Sequence, residues 1–470
     1  MKLNYKRTIL VGFAFFLISA FWQAYDAIIP RILTNHFGLP QSWSGIVMSL
    51  DNILAVFMLP LFGALSDKSE SRLGKRKPFI FFGTVAAVIS FVILTLVDNY
   101  QLARVSLTSI PEEMAAAGKN DVMIAEVWDK TLELTLANPL PLIIFIGVLL
   151  VVLIAMATFR SPAVALMPDV TVKPLRSKGN AIINLMGAAG GVLVLVLGMI
   201  FKLSATENKH MELTGYVLCV CAIMLLGFIV FMVAVKEKKW AREMQEDTER
   251  LGIDEQSQPV NENKGVKLGK AQLRSLMLIL ASVALWYVGY NSVTSKYSVY
   301  ATDILGFSYE GTLIVAQAAA IISYIPVGAV ASKIGRKKTI LAGIVMLAAA
   351  FLVGNFITPT TPSFVMYPVF ALAGIGWATI NVNSFPMVVE LAKAGDVGKY
   401  TGYYYTASMS AQIVAPILSG FLYDISMRIF FFSFATLFVA LSFVTMLFVK
   451  HGDSRPEKQG ALESLGADDD

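Results

Sequence analysis

Two ionisable side chains interrupt long apolar stretches of this sequence, where charge is costly. Asp51 is the tenth residue of the apolar run 42–65, and Arg160 precedes Asp169 by nine residues at the end of another run. On helices, both side chains would lie roughly 13 to 15 Å inside a bilayer. An unpaired carboxyl group at that depth takes up a proton, so Asp51 is a candidate proton carrier and Arg160 its candidate counter-ion. A permanent ion pair that only holds two helices together is the alternative.

A second group of residues combines aromatic rings with amide and carboxylate oxygens. Gln23 and Asp26 share one face of a helix over the run 8–30, with Trp22 beside them. An aromatic face with such acceptors suits a polyol, whereas an aromatic belt at the membrane surface is the alternative. Asp26 is the second candidate proton carrier, with Arg31 and Lys296 as candidate partners in an outer gate. The candidate binding residues in this helix and in a later one are Trp22, Gln23, Tyr25, Asp26, Trp286, Tyr287, Tyr290 and Asn291.

Apolar helices must position these side chains. Of the 470 residues, 56% are hydrophobic and only 15% are charged, and the mean hydropathy is +0.66. A soluble protein has about 25% charged residues, so the composition predicts an all-α membrane protein. Twelve runs of about 20 apolar residues are long enough to cross a bilayer. They are 8–30, 42–65, 78–97, 141–166, 180–202, 213–235, 273–299, 311–331, 339–357, 364–389, 402–424 and 428–449.

The loops between these runs predict the topology. Lysine and arginine concentrate in alternate loops, which places those loops and both termini in the cytoplasm of a plasma (inner) membrane protein. We therefore attribute the net charge of +5 to the orientation of the protein in the membrane, and it does not predict nucleic-acid binding. The predicted units are an N-terminal half (1–235) with an extracytoplasmic insertion (98–140), a cytoplasmic linker (236–272), a C-terminal half (273–450) and a disordered tail (451–470). Within the insertion, Ser109 followed by Pro111 and two glutamates predicts a short helix, and an inert insertion is favoured over a lid.

The two halves resemble each other residue by residue. At an offset of 265, polar and glycine positions fall on one another, and after the insertion the offset becomes 221. Equivalent polar positions inside apolar runs predict a binding site between the two halves. The pairs are Trp22 with Tyr287, Tyr25 with Tyr290, Asp26 with Asn291, Arg31 with Lys296, Asn52 with Gln317, Gly63 with Gly328, Asp169 with Glu390 and Arg160 with Asn381.

Two motifs resemble a known family. Residues 63–78 read GALSDKSESRLGKRKP, with a reduced copy at 328–338, and residues 160–169 read RSPAVALMPD. Over residues 8–450 the chain resembles the major facilitator superfamily. Its motif sequences are most similar to those of the sucrose/proton symporters and the glycoside-pentoside-hexuronide carriers. The resemblance implies transport by alternating access, with cytoplasmic charge contacts that favour the outward-facing state. The gating residues implied are Gly63, Asp67, Arg72, Gly74, Lys75, Arg76, Asp169, Arg336 and Glu390.

The sequence also departs from these relatives. Val164 stands where sucrose-type carriers usually have arginine, and Ala55 and Leu59 stand where melibiose-type carriers have cation-binding aspartates. Sodium coupling of the melibiose type is therefore not expected.

The predicted function is proton-coupled uptake of a sugar or glycoside. A sodium-coupled or uncoupled sugar carrier, an exporter of amphipathic compounds and a non-transporting sensor or scaffold are the alternatives. Further candidate binding residues, each of which could instead hold helices together, are Asn52, Arg160, Asn184, Gln317, Asn381, Asn383 and Gln412. His36, His210 and His451 are isolated in the sequence, and no phosphate loop or catalytic triad occurs. We therefore expect a monomer without cofactor, metal or enzymatic activity.

Overall fold

A computed structural model describes residues 3–172, 175–250, 269–391 and 397–451, and all of its regular elements are helices. The predicted tail 452–470 and the linker residues 251–268 lie outside these ranges. The helices are α1 (Tyr5–Arg31), α2 (Gln41–Asp67), α3 (Lys77–Ser106), α4 (Ile110–Ala117), α5 (Asp121–Ala137), α6 (Leu140–Asp169), α7 (Arg176–Ile200), α8 (Thr214–Ala234), α9 (Glu237–Arg250), α10 (Lys270–Thr294), α11 (Tyr297–Val299), α12 (Tyr309–Ile334), α13 (Arg336–Gly354), α14 (Met366–Val389) and α15 (Val397–Leu447).

The helices agree with the apolar runs of the sequence. Ten spans in the described residues are long and apolar enough to cross a membrane. One of them, Lys399–Leu447, has 49 residues and is interrupted by extended backbone at Ser426, so it contains the last two predicted runs. Helix α12, with 26 residues, contains the run 311–331. The all-helical membrane fold is therefore confirmed.

The internal repeat is visible in the geometry of two turns. Helix α1 continues as a wider π-helical turn, Ile32–His36, and α11 continues as a second one, Tyr300–Leu305. Gly38 and Gly306 follow these turns, and both have φ of 67°, which glycine adopts without steric cost. Leu39 N–H donates to Leu33 O, and Phe307 N–H donates to Ala301 O in the same way. The residues of each equivalent pair are 268 positions apart. The repeat therefore includes these turns, and by this point the second half has gained three residues relative to the predicted offset of 265.

The insertion forms a helical hairpin over the outer ends of the other helices. The predicted short helix is confirmed as α4, which begins after Ser109 with Pro111 in its first turn. The Ser109 hydroxyl donates to the Glu113 carboxylate 2.6 Å away, and it does not cap the backbone. Lys130 donates to the same Glu113 at 2.5 Å, and this hydrogen bond lowers the pKa of that carboxyl.

The start of the linker is fastened to the N-terminal half. The Glu237 carboxylate accepts hydrogen bonds from the backbone N–H groups of Lys75, Arg76 and Lys77, at 2.6, 2.9 and 2.9 Å. Lys77 in turn donates to the carbonyl oxygens that end α8. Gly74 has φ of 122°, and a Cβ there would lie 2.2 Å from the Glu237 carboxylate. The charged turn thus contains Gly74 because its backbone wraps around this carboxylate.

We expect Glu237→Ala to lower the Tm of the purified protein. The substitution removes the acceptor of three N–H groups at the start of α3, and one unsatisfied buried donor costs about 1 to 3 kcal/mol. Glu246→Ala on the same helix is the matched control, because Glu246 is exposed and pairs only with Arg242. Thermal unfolding in detergent, followed by tryptophan fluorescence, compares the two variants. Equal Tm values for both variants would contradict the stabilisation of the start of α3 by Glu237.

Candidate substrate cavity

A cavity of about 650 Å³ lies between the two halves. Helices α1, α6 and α7 line it from the N-terminal half, and α10, α12, α13 and α14 line it from the C-terminal half. It extends from Asp26, near the C-terminal end of α1, to Ala181, near the start of α7. The cavity lies between the halves, where the repeat predicted a binding site.

A smaller polar chamber of about 190 Å³ adjoins the main cavity and shares four lining residues with it. The shared residues are Trp22, Asp26, Arg160 and Thr294. Among the other lining residues of this polar chamber are Asp51, Asn52, Asn291, Ser295 and Gln412. Three different helices thus bring together Asp26, Asp51 and Arg160, the three charged side chains that the sequence singled out.

Hydrogen bonds inside the protein orient the amides of the polar chamber. Asn52 donates to the Asp51 carboxylate through its backbone N–H at 2.6 Å and its side-chain Nδ2 at 2.8 Å. Asn291 Nδ2 donates to Tyr287 O at 2.8 Å, and Gln412 Nε2 donates to Ser408 O at 3.4 Å. Because Asn291 and Gln412 donate to backbone carbonyls, their amide oxygens can accept hydrogen bonds from a ligand.

Aromatic rings line the main cavity. Tyr290 stacks on Trp377 of α14 with ring centroids 3.6 Å apart, and the Arg160 guanidinium lies 5.7 Å from the centre of the Trp22 ring. Trp377 was not among the binding residues predicted from the sequence. At the offset of 221 its counterpart is Met156, so comparison of the two halves does not pair Trp377 with a polar or aromatic residue.

One hydrogen bond crosses the cavity from one half to the other. Gln317 Nε2 of α12 donates to Gln23 Oε1 of α1 at 2.9 Å, next to Gly191. Gln317, the position equivalent to Asn52 in the second half, thus contacts Gln23 of the first half. Asn184 also lines this cavity.

Some predicted binding residues lie away from the lining of both chambers. Tyr25 and Trp286 are completely buried in helix packing, and Asn383 is 2% exposed and donates to Thr379 O. Tyr287 packs its ring against Trp377, 5.1 Å between centroids, and Asn381 is absent from the described lining. Tyr25 is one residue from the lining residue Asp26, but a step of one residue turns a side chain by about 100° around a helix.

The residues that the family resemblance implied for gating form charge contacts within each half, at the end of the helix bundle that the predicted topology places in the cytoplasm. Arg76 pairs with Asp67 at 2.5 Å and with Asp169 at 2.7 Å, and Arg336 pairs with Glu390. Burial opposes the charge of Arg76, but the hydrogen bonds that its guanidinium donates to Asp169 and Asp67 outweigh this effect and raise the pKa of the guanidinium. The side chains of Arg72 and Lys75 are exposed, and Gly63 lets α2 approach Ser161 of α6.

Contacts between the halves close the end of the helix bundle that the predicted topology places outside, here called the outer end. The Asp424 carboxylate accepts hydrogen bonds from Gln41 N–H and from Ser42 N–H, the latter at 3.1 Å. Lys296 donates to Ser44, so it does not pair with Asp26 as predicted, and Arg31 donates to Asn208 O. Two further contacts, Ser204 with Glu310 and Asn35 with Asp303, join the halves at the same end. These contacts join the two halves at the outer end, and the cavity extends away from that end to Ala181, near the start of α7.

The histidines that are isolated in the sequence are not isolated in space. The rings of His36 and His210 stack with centroids 6.0 Å apart, and His36 Nδ1 lies 2.7 Å from the Asp98 carboxylate. Burial and the neighbouring His36 lower the pKa of His210 to about 4.

Comparison with known proteins identifies the family. The model of the Major Facilitator Superfamily matches residues 131–408 and 311–467, and that of the MFS/sugar transport proteins matches residues 10–110. The chain therefore belongs to the Major Facilitator Superfamily and is a membrane transporter.

Individual relatives agree with this assignment. An MFS-type transporter of Methanocaldococcus jannaschii is 22% identical over 94% of this chain and 95% of its own length. A sucrose transport protein of Arabidopsis thaliana is 35% identical over 60 residues, which are 13% of this chain and 12% of that protein. The structure of the xylose transporter of E. coli in an inward open conformation has a TM-score of 0.66 at 15% identity, covering 98% of this chain and 99% of that one.

Together with the topology predicted from the loop charges, the closed outer end predicts an inward-facing state, in which the cavity is reached from the cytoplasm. A cysteine at Leu185, which lines the cavity and is 50% exposed, should react with a membrane-impermeant maleimide added to the cytoplasmic face. Val194→Cys on the same helix is the control, because Val194 is 1% exposed. Both variants carry alanine in place of Cys219 and Cys221. Faster labelling of the Leu185 cysteine from the outer face than from the cytoplasmic face would contradict the inward-facing assignment.

Proposed function

We propose that this transporter takes up a sugar or glycoside together with a proton, across the plasma membrane and with both termini in the cytoplasm. The observation that carries the proposal is the polar chamber, where two carboxylates and a guanidinium meet hydrogen-bonding amides beside a cavity lined by aromatic rings. The sugar-transport family model over residues 10–110 supports the same substrate class.

The size and shape of the cavity suit a small organic substrate. Its volume of about 650 Å³ falls within the roughly 300 to 1,000 Å³ of most ligand pockets. The stacked rings of Tyr290 and Trp377 offer an apolar surface to the C–H faces of a sugar ring, and helices of both halves reach the substrate. A substrate held by both halves affects the equilibrium between their two arrangements, as alternating access requires.

The polar chamber has the hydrogen-bonding character that a polyol needs. Asp26, Asp51 and the amide oxygens of Asn291 and Gln412 accept hydrogen bonds, so the ligand has to supply several donors there. Arg160 supplies donors, and the Trp22 Nε1 is buried without a hydrogen-bond partner in the described residues. Hydroxyl groups both donate and accept, which fits this mixture better than a purely anionic or purely cationic ligand does.

Asp51 is the proposed proton carrier, with Asp26 as the second candidate. Both carboxylates share the polar chamber with a single guanidinium, Arg160, so one carboxylate must be neutralised by another cation when Arg160 serves the other. A proton provides that neutralisation without occupying the space needed by the substrate. Release of the proton to the cytoplasm restores a carboxylate that can attract Arg160 before the protein turns outward.

An exporter of amphipathic compounds is the second candidate. The observation that favours it is the apolar part of the cavity, where Phe15, Phe351 and Phe370 add to the aromatic lining. Uptake of a polyol remains our choice, because an amphipathic substrate leaves the acceptors of the polar chamber without partners, which is costly for buried groups.

Asp51→Asn should separate coupling from translocation. In proteoliposomes loaded with unlabelled sugar, we expect the variant to exchange labelled sugar and to lose the accumulation driven by an inwardly directed proton gradient. Sucrose, maltose, trehalose and melibiose are tested in parallel, and alkalinisation of a lightly buffered outer medium reports proton entry. Asp129→Asn is the control, because Asp129 is exposed on the insertion. Gradient-driven accumulation by Asp51→Asn at the wild-type level would remove Asp51 from the coupling mechanism.

Trp377→Ala should weaken substrate binding. Removing the ring takes away the stacking partner of Tyr290, and a KM increase of about ten-fold corresponds to the loss of roughly 1.4 kcal/mol of binding. The matched control is Trp43→Ala, because Trp43 is 60% exposed on the outside of α2. Exchange rates measured over a range of sugar concentrations give both KM values. An unchanged KM for Trp377→Ala would exclude the ring from the binding site.

A further inference from the structure

The helical hairpin α4–α5 covers the point at which the two repeats meet. Asn35 and Asp303 are 268 residues apart, so they are equivalent positions of the two π-helical turns, and they contact each other directly. Asn35 Nδ2 donates to Asp303 Oδ2 at 3.1 Å, and both side chains are fully buried. Equivalent residues of a two-fold repeat touch only near the axis that relates them. The contact therefore marks the pseudo-two-fold axis at the outer face.

The hairpin supplies part of the polar pocket that receives Asp303. Trp128 Nε1 of α5 donates to Asn35 Oδ1 at 2.8 Å, which directs the Asn35 amide nitrogen toward Asp303. Lys209 of the N-terminal half lies 3.9 Å from the Asp303 carboxylate and donates to Gly118 O at the tip of the hairpin. Burial lowers the pKa of Lys209, and the charge of Asp303 counteracts this effect. A carboxylate of one half is thus bound by groups that the other half and the insertion hold in place.

The hairpin also packs against both of the equivalent glycine turns. A Cβ on Gly38 would lie 2.3 Å from Leu132 N of α5, and a Cβ on Gly306 would lie 2.4 Å from Lys119 Cε. Lys119 additionally donates to Pro359 O at 3.4 Å and lies over the Phe307 ring. The insertion is therefore bound to the N-terminal half and touches the C-terminal half at its tip. The expectation of an inert insertion does not account for these contacts.

We propose that the insertion is an outer clasp: it completes the pocket for Asp303 and so stabilises the inward-facing state until the two π-helical turns separate. Opening of the outer side must withdraw Asp303 from Asn35 and Lys209, and must pull Gly306 and Pro359 away from Lys119. Breaking a buried hydrogen-bonded ion pair is costly, so the hairpin slows the return to the outward-facing state. Such a role requires contacts with both halves and is independent of which substrate or ion is carried.

External labelling of a cysteine below the clasp tests this proposal. The reporter is Ser295→Cys, which lies in the polar chamber, in a chain with alanine at Cys219 and Cys221. Right-side-out vesicles are treated with a membrane-impermeant maleimide, and the labelling rate reports how often the outer side opens. Trp128→Phe removes the hydrogen bond to Asn35 and should raise the rate about five-fold, the factor expected for one hydrogen bond. Asp303→Asn should raise it further, because it also removes the partner of Lys209.

Matched variants separate the clasp from general damage. Trp43→Phe makes the same change at an exposed site, and Asp129→Asn makes the same change as Asp303→Asn on the surface of α5. Lys119→Ala removes the tip contact with the C-terminal half, whereas Lys130→Ala removes a pair confined to the hairpin. Gel filtration confirms that each variant is folded, and Lys119, an exposed residue, provides the test if Trp128→Phe does not fold. External labelling of Trp128→Phe and Lys119→Ala at the rates of their controls would overturn the proposal, even if Asp303→Asn is labelled faster.

Discussion

Polar and ionised groups that leave water must find partners, and this constraint decides how the two halves of the transporter meet. At the outer end, carboxylates of the C-terminal half are bound by groups of the N-terminal half: Asp424 by two backbone N–H groups of α2, and Asp303 by Asn35 and Lys209. At the opposite end, Arg76 and Arg336 are paired with acids of their own half. The same kind of interaction thus joins the two halves at one end and acts within each half at the other.

The cavity follows from the same constraint. Asp26, Asp51 and Arg160 come from three helices and share one small polar chamber, where two carboxylates compete for one guanidinium. Because the chamber has one guanidinium for two carboxylates, binding of a proton changes its charge balance. Because its amide oxygens are oriented as acceptors, a ligand that donates hydrogen bonds can bind there. In the proposed mechanism, coupling between proton and substrate needs no direct contact between them, because both change the balance of charges and hydrogen bonds in one chamber.

The repeat gives the molecule symmetry, and the insertion breaks it. Two equivalent π-helical turns end in glycines of the same conformation and meet at Asn35 and Asp303. A symmetric transporter would cover both turns alike, but here a single hairpin of the N-terminal half packs against both. The three backbone N–H groups at the start of α3 that donate to Glu237 introduce a second asymmetry, at the other end of the helix bundle.

The sequence alone determined the helical membrane fold, its internal repeat and the charged residues of the cavity. Apolar runs of membrane-spanning length admit only helices when every backbone group must be satisfied internally, and charges inside such runs are conspicuous because they are costly. Only the tertiary structure decided which polar residues share a chamber. Tyr25 lies beside the cavity residue Asp26 in the sequence but is buried in helix packing, whereas Trp377 lines the cavity although its counterpart in the repeat is Met156. The conformational state and the contacts of the insertion were also beyond the sequence, because pairs such as Asn35 with Asp303 form between residues hundreds of positions apart.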